Sequence, residues 1–571
     1  MATARRGERI SLVKAAIRET RAAFSGVALL SGVSNLLMLT GPLFMLQVYD
    51  RVLTSRSVPT LVALALLVAL LYLFLGVIEL IRARVLNRIG QRFEEQLGEV
   101  AFHAVLSLPL KTVGSDAAYA PRRDLDHLRQ FMSGTGPVAI CDIPWLPIYL
   151  AVVFMLHPWL GWLGLAGAVV LIVLTLVNEA RLRAPLRRLA QMVAARGELV
   201  EAARRNAESL RAMGMYGAFA ERWRETNEDY LAEQCTSGDM SGGMTAATKV
   251  LRLGLQSAIL GLGAYLAIFQ QITPGAMIAA AIITARALNP IELAIGQWRG
   301  FVNARQAKAR LEDILERLRR DAEPMELPRP EKSVSVQALT VGSPGARNPF
   351  VKEASFRLEA GQGLGIIGPS GSGKSTLARA LVGIWPPTRG TIRLDGAEID
   401  QWSPEVLGPA IGYLPQGVEL FDATIAENIS RLRKGADPGA TIAAAKLAGV
   451  HDMILQMPDG YDTRIGAAGS ILSAGQRQRI GLARALFGNP FLVVLDEPNA
   501  SLDHEGEVAL TQAVAAARRA GSIVILIAHR SQALAAVDQV LVMNEGRQVA
   551  FGPRDEILRK MTVRPVTAES A

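Results

Sequence analysis

Residues 58–81 are the part of this sequence that most constrains its fold. The run consists of leucine, valine, alanine and aromatic residues, and it is nearly free of charged side chains. About 20 such residues in a helix cross a hydrocarbon core of roughly 30 Å. The sequence therefore predicts a membrane-spanning helix here.

Five further stretches have a similar length and character, and half of all residues are hydrophobic. The six predicted spans are residues 24–48, 58–81, 136–156, 159–178, 247–270 and 274–296. The last two are less apolar, because Arg252, Arg286 and Glu292 lie within or beside them. A charge inside a membrane is costly and often functional, but these three could equally lie at cytoplasmic helix ends. The sequence leaves both interpretations open.

The distribution of arginine orients the predicted helices. The links within the helix pairs are short and nearly neutral, whereas the terminal segments and the links between pairs are long and rich in arginine. By the positive-inside rule, both termini are expected in the cytoplasm. This pattern accounts for much of the net charge of +9, so we expect contact with a lipid bilayer and no nucleic-acid partner.

The two long cytoplasmic segments, residues 82–134 and 180–245, have apolar residues at helical spacing. Breaker-rich stretches interrupt them at residues 114–116 and 214–217. We expect helices that continue past the membrane, turn at these two places and return.

After residue 320 the composition changes. Pro324, Pro328 and Pro330 mark a linker, and beyond it short β-branched runs alternate with helical stretches. The predicted strands are residues 363–367, 491–495, 522–527 and 539–543. This alternation predicts an α/β domain with a largely parallel sheet.

The strongest chemical motif follows the first of these strands and opens a helix expected over residues 376–382. Its residues are Gly368, Pro369, Ser370, Gly371, Ser372, Gly373, Lys374, Ser375 and Thr376. In a strand–loop–helix context, the backbone N–H groups of such a P-loop converge on phosphate oxygens. We expect Lys374 to reach the β- and γ-phosphates of ATP and Ser375 to ligate Mg²⁺.

A second motif lies about 120 residues further on, where an apolar strand ends in Asp496 and Glu497. The strand delivers both carboxylates to the edge of the sheet where α/β proteins bind ligands. We expect Asp496 to hold Mg²⁺ through water. Glu497 is the candidate general base for the attacking water.

Around these motifs the sequence resembles the ATP-binding-cassette (ABC) proteins. Residues 472–476, Leu-Ser-Ala-Gly-Gln, closely resemble the family signature LSGGQ. Gln416 is similar to the Q-loop glutamine, residues 501–503 to the D-loop, and His529 to the switch histidine. The elements also follow the order that the family has.

The resemblance implies roles for these residues. The implied catalytic set is Glu497, His529, Lys374 and Gln416. The implied Mg²⁺ ligands, partly through water, are Ser375, Gln416 and Asp496. It also implies a head-to-tail homodimer, in which each ATP contacts the P-loop of one copy and the signature and D-loop of the other. The residues expected to act in trans are Ser473, Ala474, Gly475, Gln476 and Asp503.

Two places depart from the family pattern. Many members have an aromatic residue that stacks on adenine where this chain has Val341, and Phe350 is an alternative platform. Residues 466–469 are glycine and alanine where ABC exporters often carry a glutamate.

The predicted fold class is an all-α membrane domain of the ABC exporter type followed by an α/β P-loop NTPase cassette. The predicted domains are a cytoplasmic N-terminal segment (1–23), a six-helix transmembrane domain with two long cytoplasmic loops (24–318), a linker (319–332), the ATP-binding cassette (333–560) and a C-terminal tail (561–571).

The membrane part resembles one branch of the ABC exporters. Residues 39–53, 142–149 and 157–161 look like those of bacterial type I secretion ATPases, more specifically the exporters of proteases, lipases and S-layer proteins. The resemblance implies a multi-pass inner-membrane protein that exports unfolded polypeptides with a C-terminal secretion signal. It implies two partners, a periplasmic adaptor (membrane fusion protein) and an outer-membrane channel.

Two alternatives stay open. One is a lipid or drug exporter of the same architecture, and the other is a nucleotide-gated scaffold that does not transport. The presence of Glu497 and His529 favours hydrolysis of ATP. The sequence names neither the cargo nor the residues that contact it.

Overall fold

The computed structural model describes residues 12–111, 116–319, 327–344, 348–466, 469–528 and 531–563. The chain divides into two compact units. One consists of Met1–Pro109 and Gly114–Arg320, and the main part of the other is Asp321–Ala571. The predicted domain boundaries remain predictions, and half of the predicted linker, residues 320–326, lies outside the described residues.

The first unit is helical throughout its described residues. Its α-helices are α1 (Leu12–Glu19), α2 (Arg21–Leu37), α3 (Thr40–Gln47), α4 (Leu53–Ser55), α5 (Val58–Lys111), α6 (Asp116–Ser133), α7 (Gly136–Asp142), α8 (Leu146–Leu156), α9 (Pro158–Arg205), α10 (Ala207–Ala212), α11 (Tyr216–Ile268), α12 (Pro274–Gly296) and α13 (Trp298–Arg319).

Six helical segments among the described residues are long and apolar enough to cross a membrane, which confirms the predicted number. They are Arg21–Ser55, Val58–Leu108, Gly136–Leu156, Pro158–Arg205, Tyr216–Ile268 and Pro274–Gly296. Three of them are about 50 residues long, so they extend well beyond the 30 Å that a bilayer requires. The prediction of helices that continue past the membrane is therefore confirmed.

The first span is broken where the sequence predicts a continuous helix. α2 ends at Leu37 and α3 begins at Thr40. The reason is Pro42, which has no N–H to donate to the carbonyl of Met38 and whose ring displaces that turn. A π-helical turn, Val48–Val52, follows α3. The span therefore consists of two helical halves joined near Met38.

These two halves contact different neighbours. In α2, the side-chain amide of Asn35 donates to Oδ1 of Asp142 in α7 at 2.7 Å. Beyond α3, Asp50 accepts hydrogen bonds from Thr273 Oγ1 (2.5 Å) and from the backbone N–H of Gly275 (2.9 Å). The second pair of bonds attaches the far end of the span to the start of α12.

Residues 58–81 of the second span contain one acidic side chain, that of Glu79, and the fold pairs it. Glu79 Oε1 accepts a hydrogen bond from Ser34 Oγ at 2.6 Å, and Oε2 accepts one from Arg82 Nη2 at 2.5 Å. Arg82 is buried and also donates to Ser31 Oγ at 3.2 Å. Because Ser31 and Ser34 lie in α2, these bonds join α2 to α5 and neutralise a charge that would otherwise be costly.

Two of the three charges near the last spans also neutralise each other. Arg252 Nε lies 2.7 Å from Glu292 Oε2, which forms an ion pair between α11 and α12. Arg286 Nη1 lies 3.9 Å from the sulfur of Met38. The pairing supplies a structural reason for two charges that the sequence could not explain.

The second cytoplasmic turn is shorter than predicted. The chain reverses at Gly214, whose φ of +63° is a conformation that favours glycine. Tyr216 and Gly217 already belong to α11, so the prediction that the turn extends to residue 217 is wrong. Of the first predicted turn, Gly114 and Ser115 lie outside the described residues.

The second unit is an α/β domain. Its strands are β1 (Ser333–Val341), β2 (Val351–Glu359), β3 (Gly363–Ile367), β4 (Arg389–Leu394), β5 (Ala397–Glu398), β6 (Ile411–Leu414), β7 (Leu492–Asp496), β8 (Ile523–Ile527), β9 (Gln539–Asn544) and β10 (Arg547–Pro553). Its α-helices are α14 (Lys374–Leu381), α15 (Pro404–Ala410), α16 (Ile425–Ile429), α17 (Pro438–Leu447), α18 (His451–Leu455), α19 (Ala474–Leu486), α20 (His504–Arg519) and α21 (Arg554–Val563).

Within the described residues the strands form one sheet in the order β5-β4-β1-β2-β10-β9-β3-β8-β7-β6. β9, β3, β8, β7 and β6 are parallel to one another, and the four predicted strands are confirmed to within one residue. Successive side chains of a strand point to opposite faces, so β7 contributes side chains to both faces of the sheet. Its Leu492 and Val494 pack with β3 and α14, whereas Val493 and Leu495 pack with α19.

One half-buried arginine connects three segments of this unit. Arg431 follows α16 and donates to the carbonyls of Arg484 (3.0 Å) and Ala485 (3.0 Å) at the end of α19. It also donates to the carbonyl of Gly408 in α15 at 2.9 Å. Burial lowers the pKa of Arg431 to about 10, so the guanidinium stays charged at neutral pH. Carbonyls at helix C-termini carry partial negative charge, which suits a cation.

Candidate nucleotide-binding site

The topology of the sheet collects the predicted site residues at one edge. Parallel strands point their carboxyl ends the same way, and ligands of open α/β sheets bind there. The P-loop follows β3, Asp496 ends β7, and Gln416 comes two residues after β6. Residues at the end of β8 lead to His529, which lies outside the described residues. The sheet order thus brings Ser375 and Asp496, which are 121 positions apart in the sequence, into contact.

The P-loop has the backbone geometry that its glycines allow. Gly373 has φ of +93° and is the residue before α14. A Cβ atom at Gly373 would lie 2.7 Å from the carbonyl oxygen of Phe350, so a larger residue does not fit. α14 begins at Lys374, two residues before the predicted start. Its first amides therefore belong to the loop itself and face the phosphate position.

Lys374 is held inside the loop. Its Nζ donates to the carbonyls of Gly368 and Pro369, each at 2.8 Å. Burial lowers the pKa of the Lys374 ammonium below its ordinary value, while the nearby carboxylates of Glu497 and Asp496 act in the opposite direction. Among the described residues, the buried hydroxyl of Ser372 has no hydrogen-bond partner. A phosphate oxygen would satisfy that hydroxyl and would supply the ammonium with an anionic partner.

Ser375 and Asp496 form a pair of oxygen ligands. Ser375 Oγ donates to Asp496 Oδ1 at 3.2 Å, and Asp496 is almost completely buried. Burial raises the pKa of the Asp496 carboxyl, against the hydrogen bond from Ser375, which lowers it. Among the described residues, no cluster of three or more His, Cys, Asp or Glu side chains could hold a metal. The Ser375 hydroxyl and the Asp496 carboxylate are oxygen donors of the kind that Mg²⁺ takes, so these two residues fit that ion.

Glu497 and Gln416 are in direct contact. Gln416 Nε2 donates to Glu497 Oε2 at 3.0 Å. Glu497 has φ of +50°, which is uncommon for a residue with a side chain and costs free energy that the surroundings must offset. Its backbone N–H donates to the carbonyl of Ile527 in β8 at 3.1 Å. The candidate base is thus fixed at both its side chain and its backbone.

The signature forms the start of α19. Ser473 is the N-cap, its Oγ accepts from the N–H of Gln476 at 3.2 Å, and the Gln476 side chain accepts from the N–H of Ser473 at 2.9 Å. This capping box leaves the helix start at the surface, where Ser473 and Ala474 are exposed. A Cβ atom at Gly475 would lie 2.8 Å from the carbonyl oxygen of Ser501, whereas Ala474 has room for its methyl group.

Asp503 has a structural role that the sequence analysis missed. Its carboxylate accepts a hydrogen bond from the N–H of Gly506 at 2.9 Å and caps α20. It also lies 3.8 Å from Arg479 of the signature helix. An aspartate directly before a helix is a visible capping signal in the sequence. Its expected contact with ATP in trans remains a prediction.

At the adenine end, Val341 is fully buried at the end of β1, so it offers no surface to a base. Phe350 is half exposed, and its backbone adjoins the P-loop. Phe350 is therefore the better placed of the two candidates. Ala467 and Ala468, in the run without the usual glutamate, lie outside the described residues.

Comparison with known proteins agrees with this architecture. Residues 351–500 match the family model for the ABC transporter, and residues 25–289 match that for the ABC transporter transmembrane region. A type I secretion system ATP-binding protein, PrsD of Rhizobium meliloti, is 48% identical over 97% of this chain and 95% of its own. The cyclolysin secretion/processing ATP-binding protein CyaB of Bordetella pertussis is 29% identical over 93% of this chain and 75% of its own.

A solved structure of a bacterial Atm1-family ABC exporter with ATP bound has the same fold, with a TM-score of 0.80 and 24% identity. It covers 97% of this chain and 99% of that one. Together, the helices, the cassette geometry and the relative of nearly half-identical sequence identify the family. The chain belongs to the ABC transporters, within the group of type I secretion ATP-binding proteins, and it is an ATPase coupled to transport across a membrane.

Proposed function

We propose that this chain exports unfolded polypeptides with a C-terminal secretion signal, as the inner-membrane ABC component of a type I secretion system. The observation that carries the proposal is the 48% identity with the Rhizobium meliloti type I secretion protein over 97% of this chain. Identity over that length includes the membrane helices as well as the cassette. It therefore bears on the cargo as well as on the use of ATP.

The site residues have distinct roles in this proposal. Lys374 and the P-loop amides bind the phosphates, and Glu497 accepts a proton from the attacking water. Ser375 and Asp496, with Gln416, would hold Mg²⁺, which would supply positive charge against that of the phosphates. The contacts between Ser375 and Asp496 and between Gln416 and Glu497 support the assignment. The role of His529 rests on the resemblance.

The working unit in this proposal is a homodimer with both termini in the cytoplasm. The exposed start of α19 supports it, because the Ser473 hydroxyl and the first helix amides are available to a nucleotide held by another copy. A periplasmic adaptor and an outer-membrane channel would continue the path.

The proposal is tested by cargo-stimulated ATPase activity of the full chain in lipid nanodiscs. A polypeptide that ends in a type I secretion signal is expected to raise the rate of phosphate release. The same polypeptide with a scrambled C-terminal signal serves as the matched control. Stimulation by added lipid but not by the polypeptide would favour lipid export and contradict the proposal.

The substitution Glu497→Gln tests the hydrolytic step. General-base catalysis contributes 100-fold or more, so we expect phosphate release to fall about 100-fold while ATP binding is retained. Glu359→Gln is the control, because Glu359 is an exposed residue at the end of β2. Unimpaired phosphate release by Glu497→Gln would refute the assigned base. Nucleotide binding by the unsubstituted chain without transport of any cargo would instead support a nucleotide-gated scaffold.

A further inference from the structure

Gln478 lies in the signature helix α19 and is almost fully buried. Its side chain contacts the turn that follows β7, and that turn contains Glu497 and the D-loop. We propose that Gln478 is a positioning residue for ATP hydrolysis, which fixes the backbone that carries Glu497 to the helix that carries the signature.

The hydrogen bonds of Gln478 use each end of its amide. Nε2 donates to the carbonyl of Glu497 at 3.2 Å and to the carbonyl of Pro498 at 2.6 Å. Oε1 accepts from the backbone N–H of Ser501 at 3.2 Å. A primary amide supplies two donors and an acceptor, so glutamine matches this set of partners. A carboxylate of the same length has no donor, and methionine has neither strong donor nor strong acceptor.

The turn needs such support because of its conformation. Glu497 has φ of +50°, where a side chain is unfavourable, and Pro498 directly follows it. Strained backbone persists only where the surrounding structure determines it. The amide of Gln478 holds the carbonyls of Glu497 and Pro498, which belong to the peptide groups before and after Pro498. It does so from inside the protein, where water competes little.

The same contact connects two functional surfaces. Ser473 and Gln476 are at the exposed start of α19, and Gln478 lies two residues further on its buried side. At 1.5 Å of rise per residue, the step from Gln476 to Gln478 is about 3 Å along the axis. A displacement of the signature helix therefore moves the turn that carries Glu497. This part of the inference rests on the proposed function, in which the signature serves the ATP of the other copy.

A second contact agrees with this coupling. The space between Gly475 and the carbonyl oxygen of Ser501 has no room for a Cβ atom, which would lie 2.8 Å from that oxygen. Helix and turn thus meet both at Gly475 and at Gln478. The first contact limits how closely the helix and the turn can approach, and the second fixes the orientation of the peptide groups.

The experiment compares Gln478→Met and Gln478→Glu with the unsubstituted full chain in nanodiscs. Methionine preserves the length and removes all three bonds, and glutamate keeps only the acceptor. We expect kcat for ATP to fall about 10- to 100-fold in both variants, as is usual when a group that orients a reactive residue is removed. KM and the affinity for a fluorescent ATP analogue are expected to stay within about twofold, because the P-loop is untouched.

Gln362→Met is the matched control. Gln362 also holds a turn through its side chain, since its Oε1 accepts from the N–H of Glu359 at 2.9 Å, but it lies at the opposite end of β3. We expect this variant to keep the original kcat at a comparable melting temperature. A Gln478→Met variant with unchanged kcat would overturn the inference. So would a loss of kcat and ATP affinity in step with a melting temperature far below that of the control.

Measuring Glu497→Gln in the same preparation separates this inference from the proposed function. If Glu497→Gln keeps its turnover, the assigned base is wrong whatever Gln478 does. If Glu497→Gln is inactive and both Gln478 variants keep the original kcat, the base stands and the positioning role is overturned.

Discussion

At the scale of single residues, the cassette places opposite demands on neighbouring side chains. Lys374 must stay protonated although burial lowers its pKa, and Asp496 must ionise although burial raises its pKa. The Lys374 ammonium and the Asp496 carboxylate lie at the same edge of the sheet, so each favours the charged form of the other. A bound nucleotide with Mg²⁺ would supply the remaining charge partners, so the site is arranged for an ion pair that the protein alone does not complete.

Replacing Lys374 by alanine is expected to weaken ATP binding about 10- to 100-fold. A hydrogen bond between charged groups contributes about 1.5–3 kcal/mol, and the variant removes the ammonium that would bind the phosphates. Binding of a fluorescent ATP analogue to the full chain measures the effect. Lys434→Ala, at an exposed position, is the control. Unchanged affinity in Lys374→Ala would count against the P-loop interpretation.

At the scale of secondary-structure elements, the ends of α15 and α19 depend on one side chain from a third segment. Arg431 donates to carbonyls of both helices, so the two helix ends share one donor side chain. α15 leads directly into β6 and the Q-loop, and α19 begins with the signature. Arg431 binds near the C-terminal ends of both helices, so it connects two elements that carry site residues.

Arg431→Met is expected to destabilise the cassette by about 3 kcal/mol, because it removes a charged donor from three carbonyls, two of them in partly buried bonds. For a domain of this size the melting temperature should fall by roughly 6–12 °C, measured by the intrinsic fluorescence of the purified chain. Arg431→Lys keeps the charge but not the planar set of donors, so an intermediate loss is expected. Arg433→Met, at an exposed position, should change the melting temperature little. Equal melting temperatures for the Arg431 and Arg433 variants would contradict the assignment.

Local patterns predicted most of these elements, but not how they meet. The strand before Asp496 and the P-loop are visible in the sequence, because each is contiguous. The bond between Gln416 and Glu497 is not visible, since it depends on β6 lying beside β7. The three acceptors of Arg431 come from distant segments and are equally hidden. Pro42 is visible in the sequence, but a span predicted from hydrophobicity alone takes no account of the missing N–H that breaks the helix there.

At the scale of the whole molecule, the proposed homodimer requires that the exposed signature of one copy complete the P-loop site of the other. The family match and the ABC exporter fold agree with a dimer. In such a dimer a defect in the P-loop of one copy and a defect in the signature of the other fall in the same site. The other site then stays intact. This arrangement can be distinguished from a site contained in a single chain.

The distinguishing experiment co-expresses two differently tagged copies and purifies the mixed dimer. One mixture pairs Lys374→Ala with Ser473→Asp, and the other pairs the double variant with an unsubstituted copy. Aspartate preserves the helix cap but places a negative charge against the phosphate. We expect ATPase activity in the first mixture, which keeps one intact site, and background activity in the second. The reverse order would show that each site lies within one chain.

The turn near Met38 is a joint that divides the first span into two arms, α2 on one side and α3 with the π-helical turn on the other. One arm is fixed to α5 and α7 through Ser31, Ser34 and Asn35, and the other is fixed to α12 through Asp50. Because the joint lacks a backbone hydrogen bond, it is the softest place between two firmly attached ends. The arm at Asp50 can therefore tilt together with α12 while the other arm keeps its polar contacts. A path for polypeptide beside this span would then widen at one end while its opposite end stays closed.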